Sequence, residues 1–109
     1  MSFYANYLRE RTNDEIIETE DGFATYRFID PQTVYIVDIY VRPEARLRGV
    51  ASDISDMVVD LAKKRGCSRL IGSVVPSAKG STASLKALLG YGFKLDSSTN
   101  DFIVFSKEI

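Results

Sequence analysis

Apolar positions along this chain follow two periods, one near 3.6 residues and one of 2. At the N-terminal end Phe3, Tyr4, Tyr7 and Leu8 fall on one stripe of a helix expected from Ser2 to Arg11. Glu15 to Glu20 reads as a short, weak strand. Asp21-Gly22 is a tight-turn signal, and Phe23 to Ile29 reads as the return strand of a hairpin. In it Ala24, Tyr26 and Phe28 alternate with Phe23, Thr25 and Arg27, which predicts one buried face. Asp30-Pro31-Gln32-Thr33 turns the chain again. Val34 to Val41 is apolar apart from Asp38, so both faces of that strand are expected to be covered.

The second half changes period. From about Val50 to Arg65, Val50, Ile54, Met57 or Val58, and Leu61 recur at spacings of three and four. Lys63, Lys64 and Arg65 complement the dipole in the last turn, and Gly66 stops the helix. Arg69 to Val75 reads as a buried strand. Strand, helix and strand from Val34 to Val75 predict a right-handed βαβ unit with parallel strands. After a loop over Pro76 to Gly80, Ser81 to Tyr91 is a second helix with Leu85, Leu88 and Leu89 inward, ended by Gly92-Phe93. Phe93–Leu95 and Phe102–Phe105 are expected to close the fold as a hairpin around Asp96 to Asp101. The whole predicts an α/β sandwich on a mixed sheet.

At 109 residues the chain is expected to be one domain, 1–109, with 45% hydrophobic and 27% charged residues. Its net charge of −1 argues against nucleic-acid binding. Residues 1–40 carry a net of −5 and residues 41–109 a net of +4, so the two halves suit partners of opposite sign. A single cysteine, Cys67, precludes an internal disulfide and is expected in the core. With no histidine, Ser-His and Cys-His catalysis are excluded and no metal site is expected. No secretory signal and no membrane-length apolar run are seen, so a cytoplasmic setting is expected.

The candidate chemistry lies in Val41-Arg42-Pro43-Glu44-Ala45-Arg46-Leu47-Arg48-Gly49-Val50-Ala51. A strand that breaks into an Arg/Gly loop and opens a helix presents unpaired N–H groups and the positive end of the dipole, which suits a diphosphate. Arg46-Leu47-Arg48-Gly49-Val50-Ala51 fits Arg/Gln-x-x-Gly-x-Gly/Ala. That pattern, with the Asp38–Glu44 lead-in and Gly92-Phe93 downstream, resembles the acyl-CoA site of the GCN5-related N-acetyltransferase (GNAT) superfamily over roughly residues 14 to 107. The resemblance implies the GNAT fold, a mixed central sheet flanked by helices with parallel strands splayed at the CoA site. It implies acetyl-CoA as cofactor and acetyl transfer to a primary amine by direct attack. The amides of Leu47, Arg48, Gly49, Val50 and Ala51 would cradle the pyrophosphate, with the Ser52 hydroxyl and the Arg46 and Arg48 side chains adding to it. Main-chain groups of Ile39 and Val41 would hold the pantetheine arm.

For catalysis the resemblance implies the N–H of Val41, or one beside it, as oxyanion donor. The family's usual tyrosine acid falls on Leu88, and Ser81 stands where an asparagine is common. Either Ser84 or Tyr91 supplies the proton, or water does, or the domain binds acyl-CoA without turnover as an interaction module. Tyr35 falls where some members carry a catalytic glutamate. Asp38, the one charge in its strand, is the candidate base or amine-binding group, with a structural hydrogen bond as its other reading. Many members have a further strand and two helices before the first hairpin, so a shortened, open acceptor side is expected, or one completed by a second subunit in a homodimer. Glu15, Glu18 and Glu20 would make that side acidic.

Overall fold

The computed structural model describes residues 3–109. The expected helix start at Ser2 lies outside the described residues. The elements run α1 (Phe3–Arg11), β1 (Glu15–Glu18), β2 (Gly22–Asp30), β3 (Thr33–Val41), a 3-10 turn (Pro43–Ala45), α2 (Val50–Lys64), β4 (Arg69–Val74), α3 (Ser81–Tyr91), β5 (Lys94–Thr99) and β6 (Phe102–Glu108). The six strands form one mixed sheet in the order β1-β2-β3-β4-β6-β5, with β3 and β4 parallel and every other pair antiparallel. This is the expected element order.

The core lies between the sheet and α2. Ala24, Tyr26, Val34, Ile36, Leu70, Val74 and Phe105 meet Ile54, Val58 and Ala62 of the helix. Val58, not Met57, takes the inward place in α2; Met57 is exposed. β4 is buried on one face, by Leu70, Gly72 and Val74, and only half covered on the other. Among the described residues no helix is long and apolar enough to cross a membrane.

Several expectations fail for definable reasons. α1 rests on the sheet through Ala5 and Leu8, three residues apart, and turns Phe3, Tyr4 and Tyr7 outward, Phe3 being 93% exposed. β1 stops at Glu18 because Thr19 forms the turn: its hydroxyl accepts the Asp21 and Gly22 amides. In β2 Thr25 is buried along with Ala24 and Tyr26, so both faces are covered at mid-strand. β3 is covered in its first half only; Asp38, Ile39 and Tyr40 are exposed. α3 turns Leu85 and Leu88 inward but leaves Leu89 exposed. The closing hairpin is longer than expected. Asp96 is a bulged strand residue held by Arg69, and the turn shrinks to Asn100-Asp101, with Asn100 at φ 40°.

Candidate active site

β3 and β4 pair over only three positions, Thr33 with Arg69, Val34 with Leu70 and Tyr35 with Ile71. Both strands run on, but no longer against each other. The parting begins where β3 carries an extra residue: Thr25 faces Asp38 and Tyr26 faces Ile36, leaving Val37 as a bulge. A bulge bends its strand and strengthens the local twist. At the root of the fork the Tyr35 and Ser73 hydroxyls share a hydrogen bond of 2.6 Å.

A cleft of about 740 Å³ opens beyond that root, between the second half of β3, the start of α2, β4 and α3. Asp38, Ile39, Val41, Arg46, Ala51, Ser52, Ser84 and Tyr91 line it. Leu47, Arg48, Gly49 and Val50 do not; they form the loop and first helical turn beside it. Sequence reasoning missed the small residues that keep the walls apart, Ser55, Gly72, Ser73, Ala83, Ala87 and Gly90. Their signal was present in α3, where Ala83, Ala87 and Gly90 repeat at four and three.

The loop is built from its ends inward. The Arg42 amide donates to the Asp21 carbonyl at 2.8 Å, and its guanidinium pairs with Asp21 and Glu44. Ala45 is buried and anchors the 3-10 turn. Arg46 folds back: its Nε donates to the Val41 carbonyl at 2.9 Å, and its guanidinium lies 5.7 Å from the Tyr40 ring centre. Arg48 is exposed and makes no ion pair among the described residues. Leu47 is fully exposed at φ 64°, a conformation that costs an L-residue about 1–2 kcal/mol. Gly49 follows at φ 78° as the N-cap of α2, and its carbonyl accepts the Asp53 amide. No backbone acceptor meets the amides of Leu47 through Ser52 among the described residues. Unpaired amides at a helix N-terminus, beside two left-handed residues, suit an anion.

The candidate catalytic groups lie along the same cleft. Asp38 sits in the exposed half of β3, not in the core; partial burial of its carboxyl, then the charge of Asp14, push its pKa up. Across from it the Thr25 hydroxyl, on a residue only 2% exposed, has no hydrogen-bond partner among the described residues. Nothing in the alternation of β2 singled Thr25 out. Leu88 packs over Gly72, where a Cβ would lie 2.9 Å from its Cδ2. Ser81 donates to the Pro76 carbonyl at 2.7 Å and so holds the start of α3. Ser84 is exposed on the cleft side of α3. The Tyr91 hydroxyl donates to Asp56 Oδ1 at 2.6 Å. Burial first, then that bond and the Asp56 charge, hold the phenol well above its ordinary value.

A smaller hollow of about 220 Å³ adjoins this site, lined by Glu18, Glu20, Asp21, Phe23, Tyr40 and Arg42. Tyr40 borders both cavities. Its ring stacks on Phe23 at 5.7 Å, and Tyr4 meets Phe23 edge-on at 6.0 Å.

The fold has close counterparts. The PaiA N-acetyltransferase of Thermoplasma acidophilum, solved with coenzyme A, superposes with a TM-score of 0.77 over 95% of this chain and 66% of its own, at 14% identity. A GNAT family acetyltransferase of Elizabethkingia anophelis with acetyl-CoA bound gives 0.73 over 99% of this chain and 86% of its own, at 17% identity. In sequence, the thialysine N-epsilon-acetyltransferase of Bos taurus is 39% identical over 57 residues, 52% of this chain. That match spans about a third of the bovine protein, 34% of its length. The family pattern of the GNAT acetyltransferases matches residues 6–91, across the fork, the loop and both flanking helices. The chain belongs to the GNAT acetyltransferase family.

Proposed function

We propose that this protein is an N-acetyltransferase that moves acetyl from acetyl-CoA to a primary amine by direct attack. The observation that carries the reading is the fork of β3 and β4, bulged at Val37 and ending at the unpaired amides of α2. The amides of Leu47 to Ala51 and the Ser52 hydroxyl would take the pyrophosphate, with Arg48 adding charge. The main chain at Ile39 and Val41 would take the pantetheine arm as an added strand. The acetyl thioester supplies an activated carbonyl. The Val41 N–H, or one beside it, stabilises the charge that develops on that carbonyl oxygen. Asp38 receives a proton from the ammonium of the acceptor, a role that its raised pKa favours. Ser84 or water returns a proton to the departing thiolate.

The acceptor we infer is a cationic aliphatic amine, a lysine side chain or a small polyamine-like molecule. The carboxylates of Glu18 and Glu20 beside the Phe23 and Tyr40 rings support this, since aromatic faces and carboxylates both attract ammonium groups. The name of the bovine relative, a thialysine acetyltransferase, points the same way. The buried, unpaired Cys67 suits a reducing compartment such as the cytoplasm.

The test is to mix the protein with acetyl-CoA and a panel of amines and to follow free thiol. Thiol release that depends on a diamine or lysine analogue, and that falls when Glu15, Glu18 and Glu20 are neutralised, is expected. No release with any amine refutes the enzyme. A second reading, a module that binds acyl-CoA without turnover, is favoured by Leu88 at the usual acid position and by the phenol of Tyr91 being committed to Asp56. Calorimetric binding of acetyl-CoA without thiol release selects it.

A further inference from the structure

The two helices that wall the cleft are held very differently. α2 buries Ile54, Ser55, Val58 and Ala62, whereas no residue of α3 is fully buried. The inward contacts of α3 are the partly buried Leu85, Leu88 and Tyr91. Its C-terminal end is fixed from below: Gly92 turns left-handed at φ 101°, the Phe93 amide donates to the Leu88 carbonyl, and Phe93 is buried. Lys107 Nζ, from β6, donates to the Tyr91 carbonyl at 2.8 Å and stands 4.5 Å from the Tyr91 ring centre. A cation at that place satisfies a carbonyl that the helix leaves unpaired. From the other end of the same residue the phenol crosses to Asp56 on α2 at 2.6 Å. Among the described residues this is the one side-chain hydrogen bond between α2 and α3.

We propose that Tyr91, tied to β6 by Lys107 and to α2 by Asp56, is a positioning residue that sets the gap between α2 and α3 and thereby the fit of the cleft around its ligand. The inference deepens the reading of the cleft as an acetyl-CoA site and rests on it. A bridge of fixed length is needed here because the facing residues are small: Ala51, Ser55, Ala83 and Ala87 offer few contacts across the gap. The bond to a carboxylate is of the stronger, charge-assisted kind, so its removal leaves α3 without a side-chain hydrogen bond to α2 among the described residues. Tyr91 in this role gives up no proton, which separates the bridge from an acid role for the same residue.

The experiment compares Tyr91→Phe, Asp56→Ala, the double variant and Asp56→Asn, with acetyl-CoA affinity measured by calorimetry. Either single change is expected to weaken binding about tenfold, the value of one charge-assisted bond. The double variant is expected to be no weaker than either single one, because both remove the same bridge. Asp56→Asn, whose amide oxygen still accepts but carries no charge, is expected to fall between the parent and Asp56→Ala, about threefold below the parent. Unchanged affinity in both single variants, or additive losses in the double, overturns the proposal. So does a fall in turnover for Tyr91→Phe alone with affinity unchanged, the outcome of an acid role. Hydrogen exchange of the α3 amides in the ligand-free protein is the second measurement. Faster exchange is expected in Asp56→Ala than in the parent, and equal exchange overturns the bridge. That measurement uses no cofactor, so it stands even if the parent protein fails to bind acetyl-CoA.

Discussion

Replacing Gly49 by alanine separates what the loop needs for itself from what it needs for a ligand. Gly49 holds φ 78°, where an L-residue costs about 1–2 kcal/mol. The stiffer unfolded chain of the alanine variant returns about 0.4–1 kcal/mol of that. A net loss of about 1 kcal/mol follows, or about 4–8 °C in Tm for a domain of this size. A Cβ built at Gly49 meets nothing within 4 Å, so no packing clash in the protein adds to this. Any further effect belongs to whatever the neighbouring amides bind. An anion seated on those amides would meet the new methyl group, and acetyl-CoA affinity is expected to fall by at least about tenfold, or ~1.4 kcal/mol, beyond the loss in stability. Urea unfolding and calorimetry on the same preparation give both numbers. Leu47→Gly is the control in the opposite direction: the side chain is fully exposed and packs on nothing, so relief of its φ of 64° is expected to raise stability by up to about 1 kcal/mol. An affinity for acetyl-CoA within about twofold of the parent in Gly49→Ala would refute the cradle. No change in stability would refute the left-handed turn itself.

Other outcomes follow from the same geometry. Gly22→Ala drives a Cβ to 2.1 Å from the Tyr40 carbonyl oxygen, which no side-chain rotation relieves; a loss of about 3 kcal/mol is expected in urea unfolding, with disturbance of Val41. Asp38 titrates above its ordinary value of 3.8 in the folded protein, so the native state binds more protons than the unfolded chain just above that pH. Its contribution therefore declines as pH rises through that window, and Asp38→Asn is expected to flatten that part of a Tm-against-pH curve and to raise Tm near neutrality. Tyr35→Phe removes the hydrogen bond at the root of the fork and is expected to cost about 1 kcal/mol in thermal unfolding, with Ser73→Ala giving a similar loss and the pair no more than either.

The element order was legible because glycine and proline punctuate it and the period changes from 2 to 3.6 at Val50. The loop was legible for the same reason: its geometry is local, set by Pro43, Gly49 and the helix that follows. What escaped were matters of tertiary contact. The stripe of α1 shows aromatic residues at the right spacing, yet the helix sits close to the sheet through Ala5 and Leu8, which a bulky ring at either place would prevent. Lys94 to Thr99 is too polar to read as a strand, but an edge strand with both faces in solvent needs no apolar residue, only the ladder to β6. The bulge at Val37 leaves no mark in a run of β-branched residues, because it is defined by pairing with β2. The loss of cover over Asp38 follows from that bulge and was equally invisible. The link from Tyr91 to Asp56 joins residues 35 apart and has no local signature.

The parting of β3 from β4 gives the sheet an edge in its interior. Outer edges of sheets are hazards because any extended segment of another chain can add to them. Here the main chain of β3 beyond Val37 faces a cleft walled by α2 and α3. A thin, flexible chain with hydrogen-bonding groups along it suits such a cleft better than a strand with side chains on both faces. At an outer edge nothing limits the width of what pairs; at this interior edge the walls of the cleft set a limit.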